Sequence, residues 1–183
     1  ITASGGPFIN YNLSKFKKIK LRDALKHPNW SMGKKITIDS ATMMNKVFEV
    51  IEAKHMFNLN YKDISILTHP KSYVHALVKF NNGLTKILIH EPDMKIPIHN
   101  SIYINNEKKI SSNPINLKIL NNLEFNKINS KKFPLTRIIK LLPEHNSLYE
   151  TALVTINDYF VNKLLSNKIN YLKMINLINK HIY

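Results

Sequence analysis

Residues 35–46 read Lys-Ile-Thr-Ile-Asp-Ser-Ala-Thr-Met-Met-Asn-Lys, and the interpretation of the first half of the chain depends on them. Apolar and polar side chains alternate over residues 35–39, which predicts a short strand. Ser40 then follows as the N-cap of a helix that we expect to run from residue 41 to about residue 57. The apolar residues of this helix recur at the i, i+3, i+4 and i+7 spacing of one buried face, and they are Met44, Val47, Phe48 and Ile51.

A helix that starts directly after a strand collects free backbone N–H groups and the positive end of its dipole at one point, which favours an anion there. Ser40 can add a hydroxyl, and Asn45 and Lys46 an amide and an ammonium group. Glu49 lies four residues after Asn45, so a carboxylate shares their face. The glycines of residues 4–6, Ser-Gly-Gly, can form a second anion cradle. Together these residues predict a site for a phosphorylated ligand with a metal or a proton-handling group at one end.

Each of these residues also has an ordinary structural interpretation. A serine at a helix start is usually only a cap, and a Glu–Lys pair on a helix is usually a solvated contact. His69 and His75 fall on neighbouring predicted strands, where a histidine is more often hydrogen-bonded structure than a ligand. From the residues alone, the phosphate site is therefore a hypothesis.

The rest of the chain predicts an α+β fold in two units joined by a linker. Three strands are expected at residues 64–69, 73–80 and 84–90, the last two joined by a hairpin turn at 81–83. Helices are expected at residues 135–142, 148–165 and 171–182, and the second of them has an apolar face of Leu148, Ala152, Ile156, Phe160 and Leu164. We assign residues 1–103 to an α/β unit with a small sheet, 104–130 to the linker, and 131–183 to an all-helical unit.

The composition excludes several classes of protein. The 183 residues contain no cysteine, so a disulfide framework, a zinc-finger cluster and a thiol nucleophile are excluded. A 44% hydrophobic content excludes a disordered tail, and no apolar run approaches the roughly 18 residues of a membrane span, so no membrane partner is expected.

The net positive charge of the chain is large, but it says little about the function of the protein. The formal charge is +15, but 25 of the 27 basic residues are lysine, and asparagine and isoleucine number 24 and 25. All three types have codons rich in A and T, so we attribute much of the charge to compositional bias. Specific base and phosphate recognition favours arginine, of which there are two. A basic nucleic-acid-binding domain therefore remains a minor alternative.

Taken together, several segments resemble the 1-deoxy-D-xylulose 5-phosphate reductoisomerase family in order and spacing. The match is dense over residues 1 to about 98 and thin beyond them. The matching segments are Ser-Gly-Gly-Pro-Phe at 4–8, His-Pro-Asn-Trp-Ser-Met-Gly-Lys-Lys-Ile at 27–36, Asp-Ser-Ala-Thr-Met-Met-Asn-Lys at 39–46 with Glu49 and Ile-Glu-Ala at 51–53, His-Pro-Lys-Ser at 69–72 with His75, and Pro-Asp-Met at 92–94 with Pro-Ile at 97–98.

The resemblance implies an NADPH-dependent oxidoreductase of the non-mevalonate isoprenoid pathway. Such an enzyme rearranges 1-deoxy-D-xylulose 5-phosphate and reduces it to 2-C-methyl-D-erythritol 4-phosphate with Mg²⁺, Mn²⁺ or Co²⁺, and the complete enzyme is expected to be a homodimer. Carried over to this chain, the resemblance implies that the substrate phosphate is held by Ser4, Ser40, Asn45 and Lys46. Glu49 would be the catalytic carboxylate, contacting both substrate and metal.

The same resemblance implies that residues 1–103 are a central catalytic domain and residues 131–183 a truncated C-terminal domain. It also implies a flap and a cofactor site. His27 would contact the substrate from a mobile flap, in which Trp30 and Met32 close over the site and exclude water. Gly33, Met32 and Met94 would contact the NADPH.

The chain also departs from the family pattern. No Gly-x-Gly-x-x-Gly motif and no βαβ series is found, so the family's N-terminal Rossmann-type domain is expected to be absent, together with its Asp-Ser-Glu metal loop. Val47 stands where the family usually has glycine, which places a branched side chain beside the phosphate-binding turn. Because the chain starts at Ile1, we expect a C-terminal portion of the enzyme, inactive by itself, or alternatively a non-catalytic remnant. Its expected location is the cytoplasm of an AT-rich bacterium or a plastid-type organelle.

Overall fold

The computed structural model describes residues 1–27, 32–103, 108–114 and 116–182, and within them an α+β fold with small sheets confirms the predicted fold class. The strands are β1 (Thr2–Ala3), β2 (Leu67–Thr68), β3 (Val74–Lys79), β4 (Thr85–Ile89) and β5 (Asn126–Lys127). The α-helices are α1 (Leu21–Ala24), α2 (Lys34–Thr42), α3 (Met44–Phe57), α4 (Lys95–Ile102), α5 (Leu117–Leu120), α6 (Tyr149–Leu165) and α7 (Tyr171–Ile182). Short 3-10 helices occupy Gly6–Phe8, Leu13–Lys18, Tyr61–Asp63 and Pro134–Leu141.

Two small sheets support the first half of the chain. In the first, β2 pairs in parallel with β1 and antiparallel with β5. The second is the predicted hairpin of β3 and β4, with a register irregularity between Val74 and Ala76. Because β5 and α5 lie inside residues 104–130, part of the expected linker is folded onto the first sheet. The domain boundaries themselves stay a prediction.

The expected strand at residues 35–39 is wrong, since these residues belong to α2. Ile38 is fully buried whereas Ile36 is exposed, so the apparent alternation reflects one buried helix face. The threonine hydroxyls are satisfied within the helix, with Thr37 Oγ1 donating to the Gly33 carbonyl and Thr42 Oγ1 to the Ile38 carbonyl. Burial against neighbouring elements has overridden the β-propensity of Ile and Thr.

The predicted N-cap at Ser40 is also wrong, because Ser40 lies inside the last turn of α2. Met43 adopts a left-handed conformation with φ 65° and separates α2 from α3, which begins at Met44. The N-cap position of α3 is Met43, which makes no side-chain cap bond, and the Met44 N–H donates to Thr42 Oγ1. The predicted apolar face of the helix is confirmed: Met44 and Val47 are buried, and the other two members pack partly buried against the core.

One hydrophobic core unites the chain across the expected boundary at residue 130. Its largest members come from both halves and include Phe8, Ile38, Met44, Leu135, Leu153, Leu164, Tyr171 and Met174. The expected face of α6 is correct at Phe160 and Leu164 but wrong at Leu148 and Ala152, which are exposed. The buried face is turned toward Leu153 and Asn157, because α6 packs against α2 as well as α7. Within the described part of the chain, no helix is long and apolar enough to cross a membrane.

Candidate active site

A cavity of about 550 Å³ opens between α2, α3 and the β3–β4 hairpin. It brings together most of the residues singled out from the sequence. Those that line it are Ser4, His27, Met32, Ser40, Asn45, Lys46, Glu49 and Met94. Gly33 does not line the cavity, and Trp30 lies outside the described residues.

The first turns of α3 carry the charged part of the cavity. The Lys46 ammonium lies 2.7 Å from both carboxylate oxygens of Glu49, and Asn45 Nδ2 donates to Glu49 Oε1 at 2.8 Å. The helical i+3 and i+4 spacing that the sequence showed produces these contacts. All three side chains line the cavity, where Lys46 and Asn45 can donate to an anion.

Two hydroxyl groups face this charged cluster from other elements. Ser40 reaches the cavity from the last turn of α2, and Ser4 from the loop after β1. Ser4 Oγ accepts a hydrogen bond from the Gly6 N–H, which leaves its hydroxyl proton free for a ligand. The glycines themselves do not line the cavity, so the second anion cradle predicted at residues 4–6 contributes the serine hydroxyl.

Val47 is fully buried in the core and does not line the cavity. The branched side chain that departs from the family pattern therefore packs into the core and not into the cavity.

Histidines bring nitrogen donors and acceptors to the cavity wall. Burial lowers the pKa of His27 from its ordinary value, and the positive charge of Lys46 acts in the same direction. His75, on β3, stacks on His90 with ring centroids 3.6 Å apart, and its Nε2 donates to the His90 carbonyl at 3.1 Å. Since Nε2 carries the proton in that bond, neutral His75 has an acceptor at Nδ1.

Sequence reasoning missed several residues of the cavity wall. They are Thr2, Ile36, Ser72, Val74 and His75. Ser72 and His75 stand in the segment that carries the family resemblance, which is the sequence signal for them, although a histidine on a strand is more often structural. That interpretation suits His69, which is buried, stacks on Phe125 and bonds through Nδ1 to the Glu124 carbonyl.

The described residues do not by themselves fit a divalent metal. Hard cations take about six oxygen ligands, and here Glu49 offers one carboxylate, already engaged by Lys46 and Asn45. Among the residues that the structure describes, no three His, Asp or Glu side chains form a ligand group. Met32 and Met94 add apolar side chains to the cavity lining, and Met94 is 52% exposed.

One lysine, one carboxylate, several hydroxyl groups and one amide line this cavity, and this set of groups is suited to an anionic ligand. Two family models match the chain: 1-deoxy-D-xylulose 5-phosphate reductoisomerase C-terminal domain over residues 1–57 and DXP reductoisomerase C-terminal domain over residues 89–183. The chain belongs to the 1-deoxy-D-xylulose 5-phosphate reductoisomerase family, as the sequence resemblance predicted.

Curated relatives and solved structures agree with this assignment. The chain is 59% identical over 180 residues to the 1-deoxy-D-xylulose 5-phosphate reductoisomerase of Pelagibacter ubique and 41% identical over 171 residues to that of a Sulfurihydrogenibium species. These matches cover 98% and 93% of this chain but 46% of each relative, so the chain spans about half the length of the curated relatives it matches.

Two crystal structures extend the comparison. DOX-P reductoisomerase in complex with NADPH, fosmidomycin and magnesium matches the whole chain with a TM-score of 0.91 at 35% identity, over 45% of its own length. The Zymomonas mobilis enzyme in complex with NADPH matches the whole chain with a TM-score of 0.88 at 30% identity, over 47% of its own length.

Proposed function

We propose that this chain is the substrate-binding portion of a 1-deoxy-D-xylulose 5-phosphate reductoisomerase. In the complete polypeptide it would take part in the rearrangement of 1-deoxy-D-xylulose 5-phosphate and its NADPH-dependent reduction to 2-C-methyl-D-erythritol 4-phosphate. The observation that carries the proposal is the convergence of Ser4, Ser40, Asn45 and Lys46 on one cavity beside Glu49. Three hydroxyl or amide groups and one ammonium suit a phosphate, while the carboxylate suits the cationic or proton-handling end of the same ligand.

Phosphate binding is proposed to include an exchange of partners at Lys46. Its ammonium is paired with Glu49 in the free chain, so a phosphate would compete with the carboxylate for its hydrogen bonds. Asn45 faces the same exchange, because its amide also donates to Glu49. Glu49 is thereby released toward the reacting end of the substrate.

The cofactor and metal roles are proposed by family membership. Glu49 would supply one carboxylate to Mg²⁺, Mn²⁺ or Co²⁺, with the remaining ligands from the part of the enzyme that this chain does not cover. When bound, the metal supplies Lewis-acid chemistry at the ketone and hydroxyl oxygens of the substrate. Met32, Gly33 and Met94 would contact NADPH, and His27 and Trp30 would belong to the flap that excludes water.

The proposal is tested by joining this chain to the part of a relative that it does not cover. A chimera joins the N-terminal part of the Pelagibacter ubique relative, up to the residue that aligns with Ile1, to this chain. We expect NADPH oxidation with 1-deoxy-D-xylulose 5-phosphate and Mn²⁺ from the chimera and none from the 183-residue chain alone. The chimera with Glu49→Gln is the matched inactive control. A folded chimera that oxidises no NADPH would contradict the proposal and favour a non-catalytic remnant.

We further propose that the protein acts in the cytoplasm of a bacterium. We also propose that two copies of it associate through the β3–β4 hairpin. Consecutive residues of a strand point to opposite faces, and both Ile87 and Leu88 of β4 are exposed, so both faces of this strand carry unpaired apolar surface. We expect sedimentation to give a dimer that Leu88→Lys dissociates and Thr85→Lys, on the same strand, leaves intact. A monomeric chain, or a dimer insensitive to Leu88→Lys, would contradict this interface.

A nucleic-acid role is not proposed, because the observations that favour a phosphate site concern one cavity. The many lysines are dispersed along the chain, as expected if they reflect compositional bias.

A further inference from the structure

Ser40 lies between two residues that are both bound to the C-terminal helices. Asp39 Oδ1 accepts a hydrogen bond from Asn157 Nδ2 of α6 at 2.8 Å. The Ala41 carbonyl accepts one from the hydroxyl of Tyr171, the first residue of α7, at 3.0 Å. Asp39, Asn157 and Tyr171 are all at least 98% buried. These two bonds therefore restrain the chain immediately before and immediately after the serine.

The same turn is restrained from a third side by the loop after β1. A Cβ atom at Gly6 would stand 2.8 Å from the Ser40 carbonyl oxygen, so that loop packs directly on the serine backbone. Lys35 adds an ion pair on the outer side, with its ammonium 3.0 Å from Asp39 Oδ2 and 2.9 Å from Asp158 Oδ1.

The hydrogen bond from Tyr171 reaches α2 in its last turn. The last four carbonyls of a helix lack partners within the helix, and the left-handed Met43 prevents α3 from continuing the hydrogen-bond ladder. The Tyr171 hydroxyl provides the Ala41 carbonyl with a buried donor. Burial raises the pKa of Tyr171, which keeps the phenol protonated as that donor.

We propose that Tyr171 and Asn157 are positioning residues, which hold the last turn of α2 so that the Ser40 hydroxyl points at the ligand phosphate. The inference rests on the proposed function of the cavity as a phosphate site. It gives the C-terminal helices a specific part in substrate binding, since two of their side chains determine where a cavity residue stands. Ligand groups misplaced by about 1 Å lose much of their effect, so a loosened turn weakens binding without altering any residue of the cavity.

The test uses the 183-residue chain, inorganic phosphate as the probe, and Tyr171→Phe, which removes one oxygen and keeps the buried ring. Amide resonances of residues 40, 45 and 46 report phosphate affinity by NMR titration, and amide hydrogen exchange over residues 39–43 reports the freedom of the turn. Ile178→Val, also buried on α7, is the matched control for a small loss of packing. Asn157→Ala with Val161→Ala as its control repeats the comparison on α6.

We expect Tyr171→Phe to weaken phosphate binding about fivefold, the usual effect of one hydrogen bond, and to speed exchange over residues 39–43. Ile178→Val should leave both measurements unchanged. Because Tyr171 acts through Ser40, the double variant Ser40→Ala/Tyr171→Phe should bind phosphate no more weakly than Ser40→Ala alone.

Equal effects of Tyr171→Phe and Ile178→Val, or effects of Tyr171→Phe and Ser40→Ala that add in full, would overturn the positioning role. If the unaltered chain bound no phosphate while Tyr171→Phe still accelerated exchange, the phosphate site itself would be refuted, and the two hydrogen bonds would be purely structural. The two readouts therefore separate failure of this inference from failure of the proposed function.

Discussion

The ammonium of Lys46 contacts both carboxylate oxygens of Glu49 at 2.7 Å, inside the cavity that holds the proposed substrate site. Each side chain is less than a third exposed, so the pair is partly shielded from water. The lysine is proposed to bind phosphate and the glutamate to act at the reacting end. In the free chain the charges of the two groups compensate each other. Removal of the lysine and removal of the glutamate are therefore expected to change phosphate affinity in opposite directions.

Replacing Lys46 by Met should weaken binding of inorganic phosphate at least about tenfold, because a charge-assisted hydrogen bond of roughly 1.5–3 kcal/mol is lost. NMR titration of the chain measures this affinity. Lys173→Met removes the same charge from an exposed position on α7 and should leave binding unchanged. Equal losses in the two variants would show that net charge, and not the cavity, attracts phosphate.

Replacing Glu49 by Gln should strengthen phosphate binding severalfold, because Lys46 and Asn45 are released from a carboxylate that competes with the ligand. The same change in the chimera should abolish NADPH oxidation. The two assays together check the exchange of partners at Lys46. Weaker phosphate binding by Glu49→Gln would contradict it.

Gly6→Ala should destabilise the chain by about 2–4 kcal/mol, from a strained positive φ of 59° and a clash with the Ser40 carbonyl. Gly83→Ala is the matched control, since its φ is 87° but nothing lies within 4 Å of the added methyl. It should cost only about 1 kcal/mol. Urea unfolding followed by circular dichroism measures both, and similar losses would argue against close packing of the loop on α2.

Stability should fall as the pH drops below about 6.5, in part because of His75. Burial lowers the pKa of His75 from 6.5, the charges of His90, Lys46 and His69 lower it further, and its bond to the His90 carbonyl opposes them. The unfolded chain therefore binds a proton at a higher pH than the folded chain, so stability is complete above 6.5 and is lost as the pH falls toward the folded pKa.

His75→Gln should reduce this pH dependence of the unfolding free energy, measured in urea at about pH 7.5 and about pH 5.5. His55→Gln alters an exposed histidine of α3 and is the control. An unchanged slope in His75→Gln would show that other groups account for the acid sensitivity.

Much of the site could be predicted because it lies on one helix. The spacing of Asn45, Lys46 and Glu49 is a local property, and any helix through them places the three side chains on one face. The buried face formed by Met44 and Val47 follows from the same periodicity. The hairpin was predictable for a similar reason, since Asn-Asn-Gly between two apolar runs specifies a turn.

What sequence alone left undecided depends on contacts between distant residues. Residues 35–39 alternate like a strand, yet packing of Ile38 into the core and the bonds of Asp39 to Asn157 make them a helix. His75 enters the cavity because β3 packs beside β1 of the other sheet, a contact that no local pattern specifies. Sequence spacing fixes which side chains share a face, whereas burial of that face depends on a partner surface far along the chain. That partner is present only once the tertiary structure has formed.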